Sequence, residues 1–356
     1  MFNVPGSMPK IILEECCNRR YIFEKRKLLN KNIKIFFNYF LGPILFIWLS
    51  ISIYRQILHQ PDLEQHLVYI KEAAYGSSAW KFWLVVLLMF LNWGIEARKW
   101  QVILYQLHRM SLLKSFKAIL AGVAFALNTP NRIGEYGGRV LFIPDGKRLK
   151  AVSLTIAGSF SQLIITLVFG ITGLFILTDQ FAFNKDIDGF PIWLKFLKTV
   201  LVVVTLICIM VYFRISWIIR GVEKLPGMSK FVQHISVLEN LSVTILLRVL
   251  SLSITRFLVF VIQYILLFQV MHVNIGWWEG CWTVSVLFLW LAIWPTIALL
   301  ELGLRWEYSL ILFSMYSQNI VGIYAAATCI WLINLVLPAM GGSLFMLGLR
   351  IFKDRQ

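Results

Sequence analysis

Apolar runs of about membrane-crossing length recur along the chain, at 39–58, 80–95, 151–178, 192–213, 245–270 and 309–349. A bilayer core about 30 Å thick takes about 20 apolar residues of helix to cross. Inside it the backbone must satisfy its own hydrogen bonds, which leaves helices as the form for runs this long. The sequence therefore reads as an all-α polytopic integral membrane protein. Composition agrees: 59% of the 356 residues are hydrophobic and 15% charged, against roughly 45–50% and about 25% in soluble domains. No polar stretch approaches the roughly 50 residues of a separate domain. Residues 1–38 read as a basic N-terminal arm. Residues 39–352 read as one transmembrane domain, with halves at about 39–213 and 214–352.

The net charge of +16 first suggests nucleic acid. The basic residues are instead dispersed over short loops beside apolar runs, the positive-inside distribution of membrane proteins. Such loops also attract anionic lipid headgroups. Residues 1–38 carry eight Lys/Arg against three Asp/Glu, which places the N-terminus in the cytoplasm. The acidic loops 59–79 and 179–191 read as outside, and the basic stretches 106–117, 214–235 and 350–355 as inside. No signal peptide is visible, because the first apolar run is long enough to remain as a span.

Two apolar runs are too short to cross. Residues 118–127 and 282–295 each end near a proline, Pro130 and Pro295. A residue preceding proline is disfavoured in the helical region, so each run reads as the first arm of a re-entrant helical hairpin. The expected architecture is about six full spans plus two such hairpins. After the first arm comes Thr129-Pro130-Asn131-Arg132-Ile133-Gly134-Glu135-Tyr136-Gly137-Gly138-Arg139. After the second, Glu301-Leu302-Gly303-Leu304-Arg305 repeats the pattern E-x-G-x-R. Loop charges bring the chain into the first arm from the cytoplasm and into the second from outside. Discontinuous helices entered from opposite sides mark inverted-topology repeats. The competing reading is two unrelated helix ends, each closed by a Glu/Arg pair at i, i+4.

Ionisable groups at membrane depth point to function by default. Guanidinium grips phosphate as a bidentate fork, so Arg132, Arg139, Arg256 and Arg305 suit a lipid phosphate, with Glu135 and Glu301 balancing charge in the empty site. Gly134, Gly137 and Gly138 would let backbone N–H groups approach an anion. Pro130 breaks the arm. Asn92 and Glu96, four apart, share a helix face, and Glu307 follows the second motif. Arg98 and Lys99 read as the cytoplasmic end of their span. Arg256 lies eight residues beyond Arg248, near the same face; the alternative is that it snorkels to the interface. Trp80, Trp83, Trp277 and Trp278 read as interfacial belt residues. Neither the five cysteines nor the five histidines show ligand spacing, so no metal or other cofactor is expected. No nucleophile–base constellation marks a catalytic residue.

Three stretches, in order, resemble the transmembrane region of the lysylphosphatidylglycerol synthase/flippase family. Asn92…Ala97-Arg98-Lys99-Trp100 is similar to a basic-Trp pair after that family's second span. Pro130-Asn131-Arg132-Ile133-Gly134-Glu135…Arg139 looks like its P-G-R-x-G-E…R. Gly303-Leu304-Arg305-Trp306-Glu307 is similar to its G-x-R-E region. The likeness covers roughly residues 35–350. Asn131 stands where the family usually has Gly. Ser159, Ser161 and Gln162 replace a charged group, and residues 296–300 replace a glycine-rich run. The resemblance implies the flippase-like membrane half, without the soluble aminoacyl-transferase domain, in a bacterial inner membrane.

Three functions fit these features. The first is a translocase carrying an anionic phospholipid or polyprenyl-phosphate-linked lipid past a polar mid-membrane site. The second is a membrane-embedded transferase acting on a lipid carrier, against which stands the absence of an Asp-rich or His/Asp motif. The third is a non-catalytic membrane partner of a separately encoded glycosyl- or aminoacyl-transferase. Nucleic acid is not an expected partner.

Overall fold

Helix is the form the apolar runs take among the described residues, apart from a turn and loop at 314–319 that interrupt the run at 309–349. The computed structural model describes residues 71–76, 78–127, 129, 132–177, 190–223, 229–294 and 298–346, with positions 47, 51, 55 and 68. The expected basic arm, the first span, the loop at 179–191, Pro130 and the basic C-terminal end lie largely or wholly outside them. Among the described residues the fold is all-helical, without strands. The elements are α1 (Ala79–Leu104), α2 (Leu112–Ala126), α3 (Gly134–Val140), α4 (Arg148–Ile176), α5 (Phe190–Phe213), α6 (Ile215–Glu223), α7 (Ser229–Ile235), α8 (Val243–Val270), α9 (Trp277–Ile293), α10 (Ala298–Phe313), α11 (Ile320–Trp331) and α12 (Leu337–Met346). Five helices are long and apolar enough to cross a membrane: α1, α4, α5, α8 and the continuous α11–α12 unit, Ile320–Met346. The protein is membrane-embedded.

Helix starts follow capping chemistry. The Ser111 hydroxyl accepts from the Lys114 N–H, that of Ser242 from Ile245, and the Asn319 carboxamide from Gly322, each satisfying a donor the first turn leaves open. Two expected boundaries differ. α9 starts at Trp277 rather than 282, after Gly276, with Glu279 in its first turn, where a carboxylate complements the helix dipole. The last apolar run, 309–349, is broken at 314–319, and its span starts at Ile320 and continues through Pro338 and Gly341-Gly342. A π-helical turn, Leu332–Val336, joins α11 to α12. Pro338 has no N–H to give the carbonyl of Asn334 four residues back, and the ladder widens just ahead of it.

α1 and α8 pack most extensively and form the centre of the bundle. Polar bonds cross between helices. Gln263 Nε2 donates to the Val85 carbonyl at 2.9 Å, Trp100 Nε1 to Thr155 Oγ1 at 2.9 Å, and the Ser161 and Ser253 hydroxyls meet at 2.8 Å. In an apolar solvent such bonds and close backbone contact, rather than apolar burial, hold helices together. α5 lies on the outside, with Phe196, Val203, Leu206 and Met210 exposed. Trp80, Trp83, Trp277 and Trp278 are all exposed, as belt residues require.

The packing partners of the two short arms mirror one another. α2 packs on α3 and on α12; α9 packs on α10 and on α4. Each arm thus lies against the long helix that follows the short-helix pair of the opposite half, α12 for α2 and α4 for α9, and small residues let it approach. A Cβ on Gly342 of α12 would overlap the Leu120 carbonyl of α2. One on Gly173 of α4 would come within 2.8 Å of the Trp282 carbonyl of α9. Within the first hairpin, a Cβ on Gly138 would sit 2.7 Å from the Ala121 carbonyl oxygen.

A Gly342→Ala variant is expected to lose about 1–3 kcal/mol to overpacking, although alanine alone favours helix by about 0.5–1 kcal/mol. Gly137→Ala, where an added Cβ meets nothing within 4 Å, is expected to match or exceed the wild type. Thermal unfolding in detergent checks both, and equal melting of the two variants would contradict the packing argument.

Candidate functional site

The site grows from Glu96 on α1. Its carboxylate is almost completely buried and has three cations around it. Lys99 Nζ lies 2.7 Å from Oε2, Arg256 Nη1 3.0 Å from Oε2 and Arg139 Nη2 3.0 Å from Oε1. These come from α1, α8 and α3. Arg139 also pairs with Glu135 one turn earlier on α3. Arg256 Nε donates to Asn92 Oδ1 at 2.8 Å, and Asn92 Nδ2 donates to Asn334 Oδ1 at 3.3 Å. The chain of bonds therefore runs from the first hairpin through α1 and α8 to the π turn. Trp93 and Phe260 lie 5.1 and 5.4 Å from the Arg256 guanidinium, within cation–π range.

The second motif has a parallel arrangement. Arg305 Nη2 donates to Glu301 Oε1 at 2.6 Å, and Nη1 donates to the Tyr264 hydroxyl at 2.5 Å. In each hairpin the motif arginine closes an i, i+4 pair and also reaches the long helix that precedes the hairpin: α1 for Arg139, α8 for Arg305.

Arg132 stands apart from these committed groups. Its backbone is left-handed, φ 57°, a region an ordinary residue enters only under constraint. Thr129 supplies that constraint. Its carbonyl accepts from the Arg132 N–H at 3.3 Å and its hydroxyl from the Gly134 N–H at 2.7 Å. The Arg132 side chain is 39% exposed, and its Nε lies 3.8 Å from Glu135 Oε2, too far for a hydrogen bond.

Two clefts adjoin the cluster, and Arg132 and Arg256 line both. The larger, about 250 Å³, is bordered by Glu96, Lys99 and Glu135 together with Ser159, Gln162 and Thr166 of α4. The smaller, about 40 Å³, carries Glu301 and Arg305 together with Trp93, Tyr264 and Asn334. The two E-x-G-x-R motifs, 166 residues apart, thus contribute to adjoining space. Around both clefts five cations (Lys99, Arg132, Arg139, Arg256, Arg305) face three carboxylates (Glu96, Glu135, Glu301), an excess of two positive charges.

The structure therefore brings together Asn92, Glu96, Arg132, Glu135, Arg139, Arg256, Glu301 and Arg305. Glu307 is exposed on α10 and away from the clefts. Pro130 lies outside the described residues. Gly134 and Gly138 fit the hairpin against its own first arm, and a Cβ on Gly137 would meet nothing within 4 Å. Lys99 corrects its reading as a marker of the cytoplasmic end: it is 2% exposed and paired with Glu96. The i, i+3 spacing from Glu96 was the signal available. Arg248 is exposed while Arg256 is buried, so the two do not share an environment, and Arg256 turns inward instead of snorkelling. Asn334 and Tyr264 carry no sequence signal of their own; the π turn and the Asn92 bond place the first, and the Arg305 bond within the second half places the other.

No protein-family model, curated protein or solved structure matches the chain.

Removing the shared carboxylate by Glu96→Gln leaves three cations in one buried site. The expected destabilisation is about 3–5 kcal/mol, the usual consequence of deleting one partner of a buried pair. Glu307→Gln is expected to change stability by less than about 0.5 kcal/mol, as for an ordinary surface substitution. Thermal unfolding compares the two, and a Glu96→Gln protein as stable as Glu307→Gln would show that Glu96 is not the anchor.

Proposed function

We propose that the chain is a flippase-like lipid translocase, moving an anionic phospholipid or a polyprenyl-phosphate-linked lipid through the charged clefts. The observation that carries this reading is the excess of positive charge within a membrane bundle, where buried Arg256 and partly exposed Arg132 line two adjoining clefts at once. Uncompensated charge in such a place is expensive, and an anionic headgroup supplies the missing counter-charge. A lipid passing from one cleft to the other would stay in reach of Arg132 and Arg256 throughout, while its tails remain in the bilayer.

In this reading α2–α3 and α9–α10 are re-entrant hairpins entered from opposite faces. α2 has 15 residues and α9 has 17, about 22 and 25 Å of helix at 1.5 Å per residue, short of a core about 30 Å thick. The mirrored packing of each arm on the opposite half supports an inverted repeat. With a span at 39–58 the full count becomes about six. The order of the three sequence stretches supports membership of the lysylphosphatidylglycerol synthase/flippase family, with a cytoplasmic N-terminus in a bacterial inner membrane. A separately encoded glycosyl- or aminoacyl-transferase would act on the same lipid.

Reconstituted vesicles carrying a fluorescent anionic lipid test the reading. Lipid movement is expected in the wild type and a loss of at least about tenfold in Glu135→Gln and Arg139→Ala, each removing a charge-assisted bond. Unchanged lipid distribution with appearance of a new lipid species would replace the translocase by a transferase. The folded state of each variant is checked by its melting curve.

A further inference from the structure

The smaller cleft differs from the larger in what it leaves unpaired. Five of the residues that line it carry a buried N–H with no acceptor among the described residues: Nε of Arg132 and of Arg305, Nδ2 of Asn334, and the indole Nε1 of Trp93 and of Trp331. All five are donors. A buried polar group without a partner is costly, and most such groups in native proteins are satisfied by protein, water or ligand. Five of one kind around one cleft call for an acceptor. The larger cleft has a mixed character, with the Gln162 Oε1 acceptor unpaired and hydroxyls from Ser159 and Thr166 on its wall.

Charge is concentrated in the same place. Three guanidiniums, those of Arg132, Arg256 and Arg305, line the smaller cleft with Glu301 as the single carboxylate among the described residues. The lining itself carries an excess of two positive charges, of which that of Arg256 is shared with Glu96 at 3.0 Å. A phosphodiester headgroup brings one negative charge and two non-bridging oxygens, too few for this charge or for five donors. A terminal phosphate or a diphosphate brings a charge of about −2 and three or more strong acceptor oxygens. The cleft encloses about 40 Å³, small beside the roughly 300–1,000 Å³ of ordinary small-ligand sites, so it would take the phosphate end of a ligand and not a whole headgroup. Its indole and phenyl walls would let an apolar chain run on from the phosphate.

We propose that the smaller cleft is a binding site for a dianionic phosphate, a phosphomonoester or diphosphate at the end of a lipid chain, and that it discriminates against phosphodiester, zwitterionic and cationic headgroups. This deepens the translocase reading and rests on it for the lipid's passage, whereas occupancy of the cleft is measurable without transport.

The test uses the full chain in detergent micelles, with tryptophan fluorescence and calorimetry reporting affinity. The probes are farnesyl diphosphate, inorganic pyrophosphate, phosphatidylglycerol and phosphatidylethanolamine. Farnesyl diphosphate is expected to bind at least about tenfold tighter than phosphatidylglycerol, the difference a charged hydrogen bond makes. Trp331→Phe, which keeps an aromatic ring, smaller than the indole, and deletes the N–H, and Arg305→Gln are each expected to weaken farnesyl diphosphate by about tenfold and phosphatidylglycerol much less. Arg305→Gln also breaks the Glu301 pair and can fail to fold; Trp331→Phe then carries the test alone. Pyrophosphate binding as tightly as farnesyl diphosphate would support the site and assign it to the free anion; much weaker pyrophosphate binding would assign it to the lipid-borne one. Equal affinity for farnesyl diphosphate and phosphatidylglycerol, or a Trp331→Phe protein with wild-type affinity, overturns the proposal. A chain that binds farnesyl diphosphate but moves no lipid in vesicles sinks the translocase reading and leaves this one intact.

Discussion

Everything polar in this bundle depends on the carboxylate of Glu96. A carboxylate taken from water into a low-dielectric interior loses several kcal/mol of hydration even after relaxation, and it is tolerated only when the surroundings return that energy. Here Lys99, Arg139 and Arg256 do so from three helices, two of the first half and one of the second. The dependence is mutual. Without Glu96 the three cations would repel one another in a site with little water. The cluster therefore fixes α3 against α1 and α1 against α8, and the Asn92–Asn334 contact extends that frame to the π turn. Buried ion pairs add little net stability compared with apolar packing. What they supply here is placement: they hold Arg256 at the boundary of the two clefts and leave Arg132 loosely engaged beside it.

Placement also requires that the short helices stand close to their neighbours. Gly138, Gly173 and Gly342 sit where another element's backbone occupies the space of a side chain. Such contact replaces the apolar driving force that lipid does not provide. It acts at equivalent joints in the two halves, between each short arm and the long helix of the opposite half. The motif arginines, each one turn after a glutamate, are thereby carried to adjoining cavities from segments far apart in sequence.

Much of this was legible in the sequence. Run length alone located α4, α5 and α8 to within a few residues, because membrane thickness sets their length; it found the start of α1, which runs on from the expected end at 95 to Leu104. Proline and charge at 129–139 marked a broken helix, and the i, i+4 spacing of Glu135 with Arg139 and of Glu301 with Arg305 foretold both pairs. What escaped depends on three-dimensional register. Lys99 read as a loop-side cation because its neighbour Arg98 is one; a helix turns 100° per residue, so one faces out and the other meets Glu96. Arg248 and Arg256 read as near facemates, yet eight residues overshoot two turns by about 80°, and the one faces out while the other is buried. Glu307 lies two residues beyond Arg305 and so points away from it. Asn334, Tyr264 and the indole donors of Trp93 and Trp331 have no pattern in one dimension; only the folding of one half on the other assembles them.

The sign of the field in the smaller cleft is the claim on which the functional account turns. Leu335 lines that cleft without joining the bond network, so a Leu335→Cys protein with its native cysteines replaced offers a local probe. Its rates of reaction with an anionic and a cationic methanethiosulfonate reagent of similar size, compared in proteoliposomes, read the field directly. The account predicts faster reaction with the anionic reagent, by about tenfold if the excess charge amounts to roughly 1.4 kcal/mol at the thiol, and a smaller ratio after Arg305→Gln. Faster reaction with the cationic reagent, or equal rates for both, would contradict it.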